Sequence, residues 1–181
     1  MKKIYFVLLI ILSTLIGCSS NTVSNIDLHS SEYSKFDNIL KNQQYTKPIN
    51  SESKPVTIII YNSKDLSIIS EKEYYISNNN SVDISLDNDC SFIISLPINP
   101  TVTYSWNTVN VYKNSLFELK NTSTVDLPHD TKDINMPEGV GVSRQNFYFS
   151  TVNKGSQSIG FEFKSTVYKS VDNFKITINI N

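Results

Sequence analysis

Phe174-Lys175-Ile176-Thr177-Ile178-Asn179-Ile180 is the stretch that decides the fold class. Apolar side chains stand at every second position. Successive side chains of an extended strand point to opposite faces, so this run has one apolar and one polar face. The same alternation recurs in Val82, Ile84 and Leu86 with Asp83 and Ser85 between them. Further apolar or β-branched runs read as strands: Val56–Tyr61, Phe92–Leu96, Val109–Tyr112, Leu116–Leu119, Phe147–Phe149 and Ile159–Phe163. Leu66–Ser70 and Glu73–Ser77 are weaker candidates. Turn residues such as Asn78-Asn79-Asn80-Ser81 separate them. After residue 50 no amphipathic helix interrupts the series. Many short strands with turn signals between them predict an all-β sandwich or barrel.

The composition agrees. The chain has 181 residues, five Gly and no Ala. It is rich in Asn, Ser, Ile and Thr, and β-branched residues suit a pleated, half-buried surface. Sixteen Lys and Arg against 17 Asp and Glu leave a net charge of −1. No cationic surplus exists to displace counterions, so nucleic acid is not an expected partner. With two His and two Cys, neither a metal centre nor a cofactor is expected, and no catalytic constellation is visible. Asp126, His129, Asp130 and Asp133 form a polar cluster that reads as a solvated loop. Pairing Cys90 with His129 as nucleophile and base lacks an orienting group and an oxyanion device.

The N-terminus reads as an address. Lys2 and Lys3 precede the apolar run Ile4–Ile16, which suits a secretory core and falls short of the ~20 residues of a membrane span. Leu15-Ile16-Gly17-Cys18 resembles a bacterial lipobox. The expectation is a lipoprotein signal peptide over 1–17, lipid on Cys18, and a mature chain of 181 − 17 = 164 residues. The protein would then sit in the cell envelope, membrane-anchored and facing outside the cytoplasm. Cys90 remains as a single thiol that cannot form an internal disulfide, and a buried, inert state is expected. Residues 18–54 are polar with scattered apolars and read as a flexible tether, with a short helix conceivable over Ser34–Asn42. Residues 55–79 would add extra N-terminal strands, and 80–181 would form the main domain.

One segment carries chemical information: Asn99-Pro100-Thr101-Val102-Thr103-Tyr104-Ser105-Trp106. Pro100 fixes one backbone dihedral, Asn99 suits a turn, and Tyr104 and Trp106 would anchor the stem in the core. A stiff loop loses little entropy when it docks. Here the chain resembles the chagasin family of secreted inhibitors of papain-like cysteine peptidases. That family carries Asn-Pro-Thr-Thr-Gly-Tyr with Trp two residues on; Asn99, Pro100, Thr101, Tyr104 and Trp106 match, and Val102-Thr103 departs. Its Gly-rich loop before a Phe-x-Phe strand is matched by Gly139-Val140-Gly141 before Phe147-Tyr148-Phe149. Gly155, Ile159, Phe161 and Phe163 fit the next strand, and Phe174–Ile180 the last. Where the family carries Arg-Pro-Trp in its third loop, this chain has Ser165-Thr166-Val167-Tyr168.

The resemblance implies an immunoglobulin-like β-sandwich and a non-enzymatic function. Three loops at one end would form a wedge that enters the peptidase cleft without a covalent bond. Asn99–Tyr104 would lie across the catalytic Cys and His, with Thr101 nearest the thiolate. Gly139 and Gly141 would let backbone approach the rim, and Tyr168 would anchor the third loop. The expected partner is a papain-like cysteine peptidase, met by a monomer. The rival reading is a structural or adhesive immunoglobulin-like surface lipoprotein without a peptidase target.

Overall fold

The alternating run at the C-terminus forms one of two inner strands of a small sheet. The computed structural model describes residues 25–43, 45, 54–76, 81–100, 103–109, 111, 115–128, 143–165 and 172–181. The elements are α1 (Asn25–Asn42), β1 (Lys54–Asn62), β2 (Ile68–Ile76), β3 (Ser81–Leu86), β4 (Cys90–Ile98), β5 (Tyr104–Val109), β6 (Phe117–Asp126), β7 (Ser143–Thr151), β8 (Gly155–Ser165) and β9 (Asp172–Ile180). The large sheet has the order β2-β1-β4-β7-β6 and the small sheet the order β3-β9-β8-β5. All pairings are antiparallel except β3 with β9. The all-β sandwich expected from the sequence is borne out.

The core lies between the sheets. Ile176 and Ile178 of β9 meet Phe92 and Ile94 of β4 and Phe147 and Phe149 of β7, all buried. Aromatic rings order it: Phe92 stacks on Phe149 with centroids 5.0 Å apart, and Phe161 stacks on Phe174 at 5.1 Å. Such offset and edge contacts add to the burial of apolar area.

The large sheet departs from simple alternation. Every residue from Cys90 to Pro97 and from Ser143 to Phe149 is buried. A strand buried on both faces needs a cover on each. The second cover is α1. Its residues from Ser31 on lie against the outer face, where Phe36 and Leu40 pack on Ile59, Tyr61, Ile93 and Tyr148. Phe36 and Leu40 stand four apart, one helical turn, and so share a face. Residues 31–42, read above as tether, are therefore a folded layer. The misreading has a physical cause: few apolar residues on a polar helix give a weak periodic signal, and the sheet supplies the rest.

Polar bonds fix this layer. One carboxylate oxygen of Asp37 accepts from Ser123 Oγ (2.6 Å), Asn146 Nδ2 (2.9 Å) and Tyr148 Oη (2.5 Å). Tyr61 Oη donates to Glu32 (2.7 Å) and Lys35 Nζ to the Leu66 carbonyl (2.8 Å). At the other end of α1, fully buried Arg144 donates to the carbonyl of Gln43 (3.0 Å) and to Thr57 Oγ1 (2.9 Å). Its guanidinium stands 3.9 Å from the centre of the Tyr45 ring. A cation beside the last carbonyls of a helix complements their partial negative charge, and the ring face adds to it. Burial pulls the Arg144 pKa below its ordinary value, and Tyr45 and the carboxylates of Glu73 and Glu71 oppose that pull.

The hairpin β1–β2 is joined to the sandwich. β1 lies between β2 and β4, with Ile58 opposite Ile94, so residues 54–76 contribute one interior and one edge strand to the large sheet. The two weak candidates, Leu66–Ser70 and Glu73–Ser77, fall on one strand, β2, with Ser77 outside the described residues. β5 runs over Tyr104–Val109 and carries Trp106 into the core, while Asn110 and Tyr112 of the strand expected over Val109–Tyr112 lie outside the described residues. Cys90 is a free, buried thiol whose pKa burial pushes up, which disfavours the reactive thiolate.

Candidate functional site

Strand registers bring the stems of three long connections to one end of the sandwich. The first connection leaves β4 after Ile98 and enters β5 at Tyr104; the second runs from Asp126 to Ser143; the third runs from Ser165 to Asp172. In the large sheet Ile98 lies opposite Ser143, and Ser143 opposite Asp126. In the small sheet Tyr104 lies opposite Ser165, and Phe163 opposite Asp172. The first connection crosses between the sheets and so ties the two sets of stems together.

Short side-chain bonds secure these stems. Ser143 Oγ donates to Asp126 (2.6 Å) and closes the base of the second connection. Thr103 Oγ1 and Ser165 Oγ are 3.2 Å apart, a hydroxyl pair linking the first connection to the third. The first connection is held at Trp106, whose indole N–H donates to the Pro97 carbonyl (2.8 Å). That bond reaches from β5 back to the end of β4, below Asn99. Trp106 is buried, 4.9 Å from Phe163 and 5.3 Å from Phe174 by ring centroid. Tyr104 stacks on Phe163 at 5.5 Å and is half-buried at the rim. Pro100 and Thr103 are exposed, while Asn99 is half-buried.

Of the residues singled out by sequence, the structure describes Asn99, Pro100, Thr103, Tyr104 and Ser165. The first four flank one connection, and Ser165 opens the third beside them. Thr101, Val102, Gly139, Val140, Gly141, Thr166, Val167, Tyr168 and Cys18 lie outside the described residues, as do His129, Asp130 and Asp133. Sequence reasoning passed over the bonds that brace the stems: Ser143 with Asp126, and Gln145, whose amide bonds the Trp106 backbone. A signal existed for Gln145. It stands on the inward parity of Phe147 and Phe149, where a polar side chain needs a buried partner.

The opposite end carries short turns, where side chains also take part: Asp65 accepts from Ser67 N–H (2.9 Å) and Oγ (2.6 Å). Short turns over 63–67, 87–89 and 152–154 are closed by backbone bonds: Leu66 N–H to the Asn62 carbonyl (3.0 Å), Cys90 N–H to the Asp87 carbonyl (3.0 Å) and Val152 N–H to the Leu116 carbonyl (2.8 Å). Leu66 takes a positive φ of 58° in the first of these. Gly155 takes φ 139°, and a Cβ there would stand 2.9 Å from Leu116 Cδ1, so glycine is required. Among the described residues no three His, Cys, Asp or Glu side chains converge to hold a metal.

The chain is similar to known proteins. The profile of the chagasin family peptidase inhibitors I42 matches residues 85–180, which is 96 of 181 residues. The matched span runs from the end of β3 through β9 and contains all three connections. The crystal structure of a cysteine protease inhibitor from Entamoeba histolytica is similar over 57% of this chain and 88% of that one, at 18% identity and a TM-score of 0.45. No curated protein matches the chain in sequence.

Proposed function

The chain belongs to the chagasin family of peptidase inhibitors and is not an enzyme, and from that premise we propose that it is a reversible, non-covalent inhibitor of papain-like cysteine peptidases. The connection 99–103 is the central plug, with Thr101 nearest the peptidase thiolate. Gly139-Val140-Gly141 and Ser165–Tyr168 flank it, the backbone of the first approaching the cleft rim and Tyr168 of the second filling the place of the family's Arg-Pro-Trp. The observation that carries this reading is the convergence of the three stems at one end, tied by the 3.2 Å contact of Thr103 with Ser165. A braced stem suits tight binding, because it lowers the conformational entropy lost on docking. A footprint of ~800 Å² per partner is usual for peptidase inhibitors.

Inhibition of this kind involves no acyl transfer to the inhibitor. The plug occupies the place of a substrate backbone and excludes water and substrate from the thiolate. Release restores full activity.

Anchoring through lipid on Cys18 in the cell envelope is part of the same reading. Glu32 and Lys35, early in the folded body, bond to Tyr61 and Leu66, at the end remote from the three connections.

The test is titration of papain with the full-length chain in detergent. The expected result is a stoichiometric loss of activity that recovers on dilution. Thr101→Arg should weaken inhibition by at least about tenfold, or ~1.4 kcal/mol, while His129→Ala leaves it within about twofold, ~0.4 kcal/mol. Undiminished papain activity at micromolar chain would leave the adhesive lipoprotein as the better reading.

A further inference from the structure

Gln145 sits on β7, two residues past the second connection, yet its side chain serves the first. Trp106 N–H donates to Gln145 Oε1 at 2.8 Å, and Gln145 Nε2 donates to the Trp106 carbonyl at 3.0 Å. Both bonds are buried. β5 is the edge strand of the small sheet, with β8 on one side only. An edge strand leaves a row of backbone donors and acceptors without a neighbouring strand. At Trp106 the primary amide takes the neighbour's place, offering one acceptor and one donor as a paired residue would. Its orientation is fixed, since a backbone N–H can only donate and a carbonyl only accept.

The placement gives this bond its consequence. Gln145 belongs to the large sheet, opposite Leu96, and Trp106 belongs to the small sheet. The first connection spans the two sheets between these points. With the indole bond to Pro97, Trp106 is held at its ring, its N–H and its carbonyl, each time by a residue of the large sheet. We infer that Gln145 is a positioning residue, which fixes the spacing of the first connection from the second by clamping the strand that carries the plug. Its role in affinity rests on the inhibitor reading above. Glutamate would keep the acceptor and lose the donor. Methionine would keep the volume and lose both, leaving two buried backbone groups without partners.

A matched clamp at the opposite end supplies the control. Gln157 Oε1 accepts from Leu116 N–H (2.7 Å) and Ser115 Oγ (3.0 Å), far from the three connections. The experiment compares the full-length chain with Gln145→Met, Gln145→Glu and Gln157→Met. It measures papain inhibition and hydrogen exchange of the Trp106 amide. Gln145→Met should speed exchange at Trp106 by at least about tenfold, leave exchange over 81–86 unchanged, and raise the inhibition constant by about tenfold or more, both factors being those of one buried bond. Gln145→Glu should fall between, and it carries the test if the Met variant does not fold. Gln157→Met should lower the melting temperature and leave both readouts at 99–106 untouched. Wild-type exchange at Trp106 in both Gln145 variants would overturn the inference, whatever papain does. So would faster exchange with an unchanged inhibition constant in a chain that inhibits. A wild-type chain that fails to inhibit would instead remove the inhibitor reading, leaving the clamp to be decided by exchange alone.

Discussion

The two sheets of this sandwich solve the same burial problem in different ways. The small sheet has one apolar face: in β9, Phe174, Ile176, Ile178 and Ile180 are buried while Asn173 and Lys175 are exposed. The large sheet is buried on both faces, because α1 covers the side that would otherwise meet water. An open sheet is specified by its own strands, since alternation states which way each residue faces. A covered sheet is specified only together with its cover. Its outer face combines Ile59, Tyr61, Ile93 and Tyr148 with polar Thr57, Ser95, Arg144 and Asn146, all buried, and those polar groups need what the N-terminal segment brings.

The sharpest way to break this comparison is to remove the cover and the strand beside it. The family profile begins at residue 85, which invites a chain starting at residue 80. That chain would lack β1, an interior strand of the large sheet, together with α1. It would expose Phe36's partners and leave Arg144 without Gln43 and Thr57. We expect it not to fold, seen as loss of cooperative melting in circular dichroism and of papain inhibition together. A cooperative transition in the truncated chain would mean that the matched span is self-sufficient and that the cover is an accessory.

A smaller change tests the cover alone. Phe36 is fully buried and lies 4.3 Å from Tyr61 by ring centroid. Phe36→Ala should cost about 3–5 kcal/mol of unfolding free energy, the usual range for a buried ring. Lys175→Ala, on the exposed side of the open sheet, should stay within about 0.5 kcal/mol. Denaturant melts of both give the contrast directly. Below the melting transition the inhibition constant of Phe36→Ala should match the wild type, because Phe36 packs on the outer face of the large sheet, against Ile59, Tyr61, Ile93 and Tyr148. Equal costs at the two sites would erase the difference between covered and open sheets.

How much could be read in advance follows from the same contrast. The strands of the small sheet, and the register-forming alternation of β3 and β9, are explicit in Val82–Leu86 and Phe174–Ile180. The stem of the first connection was legible because Pro100, Tyr104 and Trp106 each have a strong local preference. The cover was not. Phe36 and Leu40 are two apolar residues in a polar stretch, and their meaning depends on Tyr61 and Tyr148, which lie far along the chain. Arg144 likewise reads as a surface cation until α1 delivers a helix end to it. Gln145 reads as ordinary strand polarity until Trp106 is placed opposite. In each case the missing information is a contact between segments distant in sequence, which no local pattern encodes.

The finest test of the covered face is its response to alkali. Burial pushes the Tyr148 hydroxyl well above its ordinary value of 10.0, and its bond to Asp37 pushes further in the same direction. Burial and the bond to Glu32 do the same for Tyr61. Both groups stay protonated in the folded chain at a pH where the unfolded chain ionises them. The unfolded state then binds fewer protons, so stability falls as pH rises. The contribution is whole below pH 10 and declines above it. Tyr148→Phe removes one of these groups. At neutral pH it should cost about 1.5–3 kcal/mol, the usual worth of a hydrogen bond to a charged group. Above pH 10 its loss of stability with pH should be shallower than that of the wild type. Urea melts at neutral pH and at successive steps above pH 10 would show this as two curves that converge. Parallel curves would mean that the Tyr148 hydroxyl ionises as readily under the helix as in the unfolded chain, and that α1 covers this part of the large sheet less closely than its bond to Asp37 implies.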